Sequence, residues 1–304
     1  MSVELSGAIN SVTTVGIPNL FLLFLKKNKA TMYQLSEIWI YPVKSLGGIA
    51  LQQSEVMPRG LEHDRRWMLV DDKGMFLTQR TLPELALFQP EIKDGFLVIR
   101  HRGNTAEKIS VALRPSFATG AEKLKVVVWD DTVEAFEVDK MASDWFSKML
   151  GFSARLVYMP EESHRKVAPD YAVSTADINS FSDGFPFLLI GQSSLDDLNS
   201  RLMEAVPMNR FRPNFVFTGG AAYEEETWRE FTIGELTLFG VKPCSRCVMT
   251  TVDQEKGVKS GKDPLLALSK YRMVGNNVLF GQNLIAKQQG SVSVGDVMLV
   301  NEVV

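Results

Sequence analysis

The sequence predicts a mainly β fold of barrel or sandwich type, and three observations carry that prediction. Short runs rich in β-branched and aromatic residues recur along most of the chain with turn residues between them, the pattern of many short strands. Only three stretches show helical spacing. There is no Gly-x-Gly-x-x-Gly, no Walker loop and no Ser/His/Asp order of a hydrolase, and no internal repeat. At 304 residues the chain is long enough for one large or two ordinary domains with real cores. Its apolar content, 45%, is ordinary for a globular protein. A net charge of −3 gives no reason to expect nucleic acid as a partner. Two cysteines argue against a disulfide scaffold and fit a reducing compartment, the cytoplasm.

Residues 1–31 read as an extension. The apolar run 17–25 falls far short of the roughly 20 residues that span a bilayer. Lys26, Lys27 and Lys29 follow it, whereas a secretory signal carries its charges in front. No stable membrane span is expected, and peripheral association through residues 1–31 is the alternative to a dispensable segment.

The domain pattern opens at Met32. Residues 33–40 read as a strand buried mainly on one side, with imperfect alternation. It ends at Tyr41-Pro42-Val43-Lys44-Ser45-Leu46-Gly47-Gly48, either a solvated hairpin or a donor-rich turn able to hold an oxyanion. Strands follow at 53–57, 67–70 and 75–78. The charged stretch Leu61-Glu62-His63-Asp64-Arg65-Arg66 is a solvated loop or, with Lys44 and Arg80, a guanidinium fork for phosphate. Further strands are expected at 96–100, 108–112, 124–128, 133–138 and 155–159. A helix is expected at 141–150, between an Asp139 N-cap and Gly151. Residues 161–177 are polar and irregular. Asp183 is a functional acid or an Asx-turn residue before Gly184. After a strand at 187–190, Ser193 or Ser194 can cap a helix carrying Leu195, Leu198 and Leu202. The Arg212-Pro213-Asn214 turn before a strand at 215–218 can present a fork and an amide to a ligand. A hairpin at 228–233 and 236–241, a helix at 264–272 and strands at 284–287, 291–294 and 297–300 complete the chain.

Both cysteines lie in Val241-Lys242-Pro243-Cys244-Ser245-Arg246-Cys247-Val248. Pro243 lacks an N–H, so the ladder is expected to stop there and the thiols to sit on a tight turn before a strand at 248–252. Arg246 and Lys242 favour a thiolate. Three readings compete. A redox dithiol normally opens a helix. Structural zinc needs more ligands than this chain offers, since His63, His101 and His164 are scattered. In the third reading one cysteine ligates a soft metal whose other ligands come from a bound cofactor.

Several of these segments together resemble a known family. Ile40-Tyr41-Pro42-Val43-Lys44-Ser45, Asp64-Arg65-Arg66-Trp67, Phe211-Arg212-Pro213-Asn214, Cys244-Ser245-Arg246-Cys247 with Thr250-Thr251-Val252-Asp253, and Phe280-Gly281-Gln282-Asn283 occur in family order. The chain resembles the MOSC-domain molybdoenzymes of the mitochondrial amidoxime reducing component and YcbX-like type. The resemblance implies an N-terminal MOSC β-barrel domain at residues 32–155 and a C-terminal MOSC β-barrel domain at 156–304, with a few helices. It implies molybdenum–molybdopterin (Moco) as cofactor, Cys247 as metal ligand, and Cys244 as a non-ligand. Lys44, Ser45, Arg65, Arg212, Asn214, Ser245 and Arg246 fall on cofactor-contact positions, and Asp183 near the metal, as proton donor or substrate-positioning group. MOSC domains are also associated with pyridoxal phosphate binding.

The expected activity is reduction of small N-hydroxylated substrates: amidoximes, hydroxylamines and N-hydroxylated bases. YcbX-like members carry an extra ferredoxin-like domain that this chain lacks, so electrons are expected from a separate flavin or haem/iron–sulfur reductase. The alternative is a sulfur-carrier or cofactor-handling module using a Cys247 persulfide.

Overall fold

The computed structural model describes Met1 and residues 32–304, so the expectations for residues 2–31 lie outside the described residues. Strand β1 (Tyr33–Ile40) opens the main sheet. Its imperfect alternation has a cause: the register slips between Leu35 and Glu37, which puts Leu35, Ile38 and Ile40 in one core.

A short strand, Ile49–Leu51, pairs back onto β1, and the chain then leaves this sheet. Strands β2 (Trp67–Val70), β3 (Phe88–Lys93), β4 (Phe96–His101), β5 (Asn104–Ala112), β6 (Leu124–Val128), β7 (Asp131–Glu137) and β8 (Arg155–Tyr158) build two smaller sheets. Their orders are β2-β8-β7-β6 and β3-β4-β5. Helix α1 (Lys140–Leu150) lies between β7 and β8. The Asp139 side chain accepts the Ala142 N–H at 2.6 Å, and Gly151 closes the helix at φ 78°. Its Ala142, Trp145 and Phe146 join Trp67, Phe88 and Leu97 in a second core. Residues 75–78 make only isolated bridges, Met75 to Val127 and Phe76 to Val70.

The chain then returns to the main sheet with β9 (Phe187–Gly191), β10 (Phe215–Thr218), β11 (Trp228–Ile233), β12 (Leu236–Arg246), β13 (Asn277–Ala286) and β14 (Val297–Val303). The order β9-β10-β1-β14-β11-β12-β13 closes through β13 onto β9, giving a seven-stranded barrel. The protein is therefore mainly β with few helices. Leu189, Phe215, Phe217, Trp228, Phe231, Leu238 and Leu284 belong to the barrel core. Each fully buried large apolar side chain contributes roughly 1.5–3 kcal/mol relative to exposure. Residues 32–304 form one compact unit in which β1 pairs with β10 and β14. β8, at the expected domain boundary, pairs with β2 and β7. No described helix is long and apolar enough to cross a membrane.

Four local expectations need correction. The ladder does not end at Pro243: β12 runs on to Arg246, and register shifts flank the proline, so its missing N–H falls at an irregularity. Cys244 is the residue skipped by the second shift. Residues Val248–Thr251 are a 3-10 helix and not a strand, with Thr250 and Thr251 hydroxyls bonded back to the Cys247 and Val248 carbonyls. Helix α2 (Gln192–Asn199) has no side-chain cap, because the buried Ser194 hydroxyl is held by the Glu225 carboxylate at 2.9 Å. Helix α3 covers only Leu265–Ser269, since a strand at Met273–Val274 soon follows it and pairs with β13.

Candidate functional site

One cavity gathers the expected side chains from five separated segments. Lys44 and Ser45 come from the turn after β1, Arg65 from the loop before β2, and Asp183 from the segment before β9. Arg212 and Asn214 precede β10, while Ser245, Arg246 and Cys247 come from the end of β12. All nine residues singled out from the sequence line this cavity, which also takes in Arg80 and Arg210. It opens to solvent, with a cavity volume of about 120 Å³.

The backbone is strained where it enters the cavity. Ser45, Arg65 and Arg212 have φ values of 68°, 48° and 55°. Non-glycine residues persist in this left-handed region at a cost of order 1–3 kcal/mol each only where the surroundings over-determine them, which happens most often at functional sites. The surroundings here are specific. The Arg65 carbonyl accepts from Phe181 N–H, and its own N–H donates to the Tyr41 carbonyl. Gln79 Nε2 donates to the Ser45 carbonyl at 2.7 Å.

Arg65 and Arg212 both lie over the Tyr41 ring, at 4.3 and 4.1 Å. Buried Asp64 accepts from Arg65 Nη1 at 2.7 Å and from the Tyr41 N–H at 2.7 Å. Arg212 donates to the Leu46 carbonyl at 2.7 Å. Burial pushes the Arg212 guanidinium down to about 10, with Tyr41 opposing and Arg65 reinforcing the shift. Asn214 is a knot: its Nδ2 donates to Trp39 O and its Oδ1 accepts from Leu188 N–H. Ser245 Oγ donates to Asn277 Oδ1 at 2.9 Å.

The two cysteines have different surroundings, and both are free. Arg246 donates to the Cys244 sulfur at 3.0 Å and to the Phe211 carbonyl at 2.6 Å. Cys247 takes its cation from elsewhere: Arg80 Nε donates to the Cys247 sulfur at 3.3 Å. Lys242, expected to favour the thiolate, instead lies over the Tyr171 ring at 4.1 Å. Sequence reasoning considered Arg80 only as part of a phosphate fork, and nothing in the Thr78-Gln79-Arg80 stretch signals a thiol partner.

Asp183 anchors a charge cluster. Lys44 Nζ lies 2.6 Å from Oδ1, and Arg80 Nη2 lies 2.8 Å from Oδ2. Arg165 supports the segment from behind, donating to the Ser182 carbonyl at 2.6 Å and the Asp183 carbonyl at 2.8 Å. The Asp183 side chain keeps 51% of its surface open, and that surface faces the cavity. Desolvation alone would raise its carboxyl, but Lys44 and Arg80 outweigh it and hold the group well below the usual carboxylate range. Held between those two cations, Asp183 favours its ionised form. Burial lowers Lys44 to about 8 despite the carboxylate.

Among the described residues no group of three or more His, Cys, Asp or Glu side chains could hold a metal. A metal at Cys247 would therefore need most of its ligands from a cofactor. The residues fit molybdopterin in two respects. Lys44, Arg65, Arg80, Arg212 and Arg246 would offer cations to its phosphate, and Cys247 would offer one soft thiolate. Ser45 Oγ and Arg246 Nε are buried without partners, as donors awaiting an acceptor would be.

Comparison with known proteins agrees with this geometry. The MOSC N-terminal beta barrel domain family matches residues 32–153, and the MOSC domain family matches residues 176–299. Mitochondrial amidoxime-reducing component 1 of Mus musculus is 32% identical over 279 residues, covering 86% of this chain and 80% of that protein. Mitochondrial amidoxime reducing component 2 of Bos taurus is 31% identical, covering 86% of this chain and 81% of its own. A molybdenum cofactor sulfurase of Oryza sativa subsp. japonica is 31% identical over 265 residues, 81% of this chain but only 32% of that protein. With both MOSC domains in order and this identity over most of its length, the chain belongs to the MOSC-domain family that includes the mitochondrial amidoxime-reducing components.

Proposed function

We propose that this protein is a molybdenum-cofactor-dependent oxidoreductase that reduces small N-hydroxylated substrates such as amidoximes, hydroxylamines and N-hydroxylated bases. The observation that carries the reading is the meeting of Cys247, whose sulfur accepts from Arg80, with a cation-lined cavity that Cys244 also lines and that offers no cluster of three or more protein metal ligands among the described residues. The relatives named for amidoxime reduction support the reaction class.

When bound, the cofactor supplies two-electron exchange at molybdenum, so that two electrons and two protons convert N–OH to N–H and water. The chain's own residues do the rest. Cys247 gives the protein thiolate. Lys44, Arg65, Arg212 and Arg246 bind the phosphate, with Ser45 as an added donor. Asn214 and Ser245 hold the cavity wall, Asn214 by tying β1 to β9 and Ser245 through Asn277. Asp183 stays ionised, orienting Lys44 and Arg80 and positioning the substrate. Electrons come from a separate flavin or haem/iron–sulfur protein. Two free cysteines and no disulfide suit a reducing compartment, and we assign the chain to the cytoplasm.

A sulfur-carrier role is the second reading, supported by the resemblance to a molybdenum cofactor sulfurase. A cationic cavity would also suit the phosphate of pyridoxal phosphate, but that ligand makes no use of Cys247. Molybdenum per chain, measured on protein from a host that makes molybdopterin beside Cys247→Ala, separates these readings. Near-stoichiometric molybdenum in the wild type, lost in the variant, supports the reductase. No molybdenum in either, with thiol-releasable sulfane sulfur on the wild type alone, supports the carrier.

A further inference from the structure

We propose that Trp129 selects substrates at this site, favouring planar, conjugated N-hydroxylated compounds through contact with its exposed indole. The inference rests on the reductase reading and names a residue that the sequence motifs do not include.

The first observation is strain. Strands β6 and β7 pair with Val128 opposite Asp131, leaving Trp129 and Asp130 as a two-residue turn. Such turns ask for positive φ and normally take Asn or Gly. Trp129 sits there at φ 56°, an unusual conformation for a bulky side chain. Strain of this kind is kept where the side chain has a task.

The second observation is where the indole goes. It keeps 41% of its surface exposed, yet it is fixed at three points. Its N–H donates to Asp183 Oδ1 at 3.1 Å, the Arg80 guanidinium lies 4.5 Å from the ring centroid, and the Phe76 ring lies 5.3 Å away, tilted 54°. Arg80 and Asp183 line the cavity, and Arg80 reaches the Cys247 sulfur. Trp129 therefore adjoins the cavity through Asp183 and Arg80, one residue out from the thiol.

The third observation is what the cavity lacks. Asp183 is the one carboxylate among lining residues that include Lys44, Arg65, Arg80, Arg210, Arg212 and Arg246. That charge suits an anionic cofactor and gives a neutral organic substrate little to bind. Of the aromatic residues that line the cavity, Phe187 and Phe211 are buried in apolar cores, and half-buried Phe185 packs edge-on against Tyr171 with ring centroids 5.8 Å apart. Trp129, held beside the cavity by Asp183 and Arg80, offers the more open aromatic surface. Amidoximes and N-hydroxylated bases have planar π systems that can lie against an indole, whereas aliphatic hydroxylamines do not. Such contact is worth up to about tenfold in affinity.

The test compares Trp129→Leu and Trp129→Phe with the wild type, using holoenzyme with molybdenum per chain measured for each. KM and kcat are determined for benzamidoxime and for N-methylhydroxylamine. The expected result is a KM for benzamidoxime that rises about tenfold more than that for N-methylhydroxylamine in Trp129→Leu, with kcat little changed and Trp129→Phe restoring most of the difference. Equal changes for both substrates, or loss of molybdenum, would show a structural role through Arg80 or Asp183 and overturn the proposal. Equilibrium binding of benzamidoxime to the oxidised protein covers the case in which the wild type turns over neither substrate. Binding that falls in Trp129→Leu would then keep Trp129 as a ligand contact while the reductase reading fails. Binding that does not change would overturn the proposal as well.

Discussion

Arg80 donates its Nε–H to the Cys247 sulfur at 3.3 Å across 167 residues of sequence. The same guanidinium holds Asp183 at 2.8 Å, so one side chain links the thiol to the carboxylate. A hydrogen bond to a charged group is typically worth about 1.5–3 kcal/mol. Replacing Arg80 by Met is expected to cut turnover of an N-hydroxylated substrate by about tenfold or more. Arg80→Lys keeps the charge without the fork and should recover only part of it. Steady-state kinetics normalised to molybdenum content checks this, and an Arg80→Met enzyme at wild-type rate would remove Arg80 from the mechanism.

Lys44 makes the ligand-free cavity sensitive to pH. Burial holds its folded value near 8, below the ordinary 10.5. Below about 8 the ammonium is present and attracts an anion; above it the charge is lost. Binding of inorganic phosphate or molybdopterin should therefore weaken as pH rises through about 8. The stability sign runs the other way. Between about 8 and 10.5 the unfolded chain binds more protons at Lys44, so this residue makes the ligand-free protein more stable as pH rises there. Lys44→Met should flatten both profiles, as read by isothermal titration with phosphate and by thermal melts across pH.

Glu225 is wholly buried, accepting from Gly191 N–H at 3.1 Å and from Ser194 Oγ at 2.9 Å. Desolvation raises it to about 7 despite those donors. A raised carboxyl binds its proton more tightly folded than unfolded, so its contribution is full below about 4.5 and is lost as pH rises to about 7. The loss amounts to roughly 3 kcal/mol. Glu225→Gln should remove this slope. Urea unfolding at pH 5 and pH 8 measures it, and equal slopes in both proteins would contradict the assignment.

Tyr41 contributes a ring more than a hydroxyl. Its OH is buried without a partner and burial pushes its pKa up to about 12, so Tyr41→Phe should be neutral or slightly stabilising. Tyr41→Ala removes the surface beneath Arg65 and Arg212 and should cost about 3–5 kcal/mol, together with phosphate affinity. Chemical denaturation of the two variants separates ring from hydroxyl.

Much of the fold was legible because it follows from local chemistry. Asp139 and Gly151 mark α1 by their capping preferences alone, and the alternating runs of β7 and β11 show their buried faces. The Pro243 and Val248–Thr251 expectations failed for a common reason. A proline stops a ladder only where its N–H is needed, and an apolar β-branched run is a strand only if a neighbour offers hydrogen bonds. Flanking register shifts and the Cys247 carbonyl settled both cases.

The sequence by itself determined the mainly β class, the α1 boundaries and the set of residue types at the site: two neighbouring thiols among scattered cations, with too few other ligands for a protein-only metal centre. Only the tertiary structure decided which cation meets which acceptor. Arg246, adjacent in sequence to Cys247, serves Cys244, and Arg80 serves Cys247. Asp183 is held as an anion because two cations converge on it, and Trp129 meets Asp183 from a turn at positive φ. Pairings of this kind depend on barrel closure and on contacts between segments more than 100 residues apart, which local propensity and spacing do not encode.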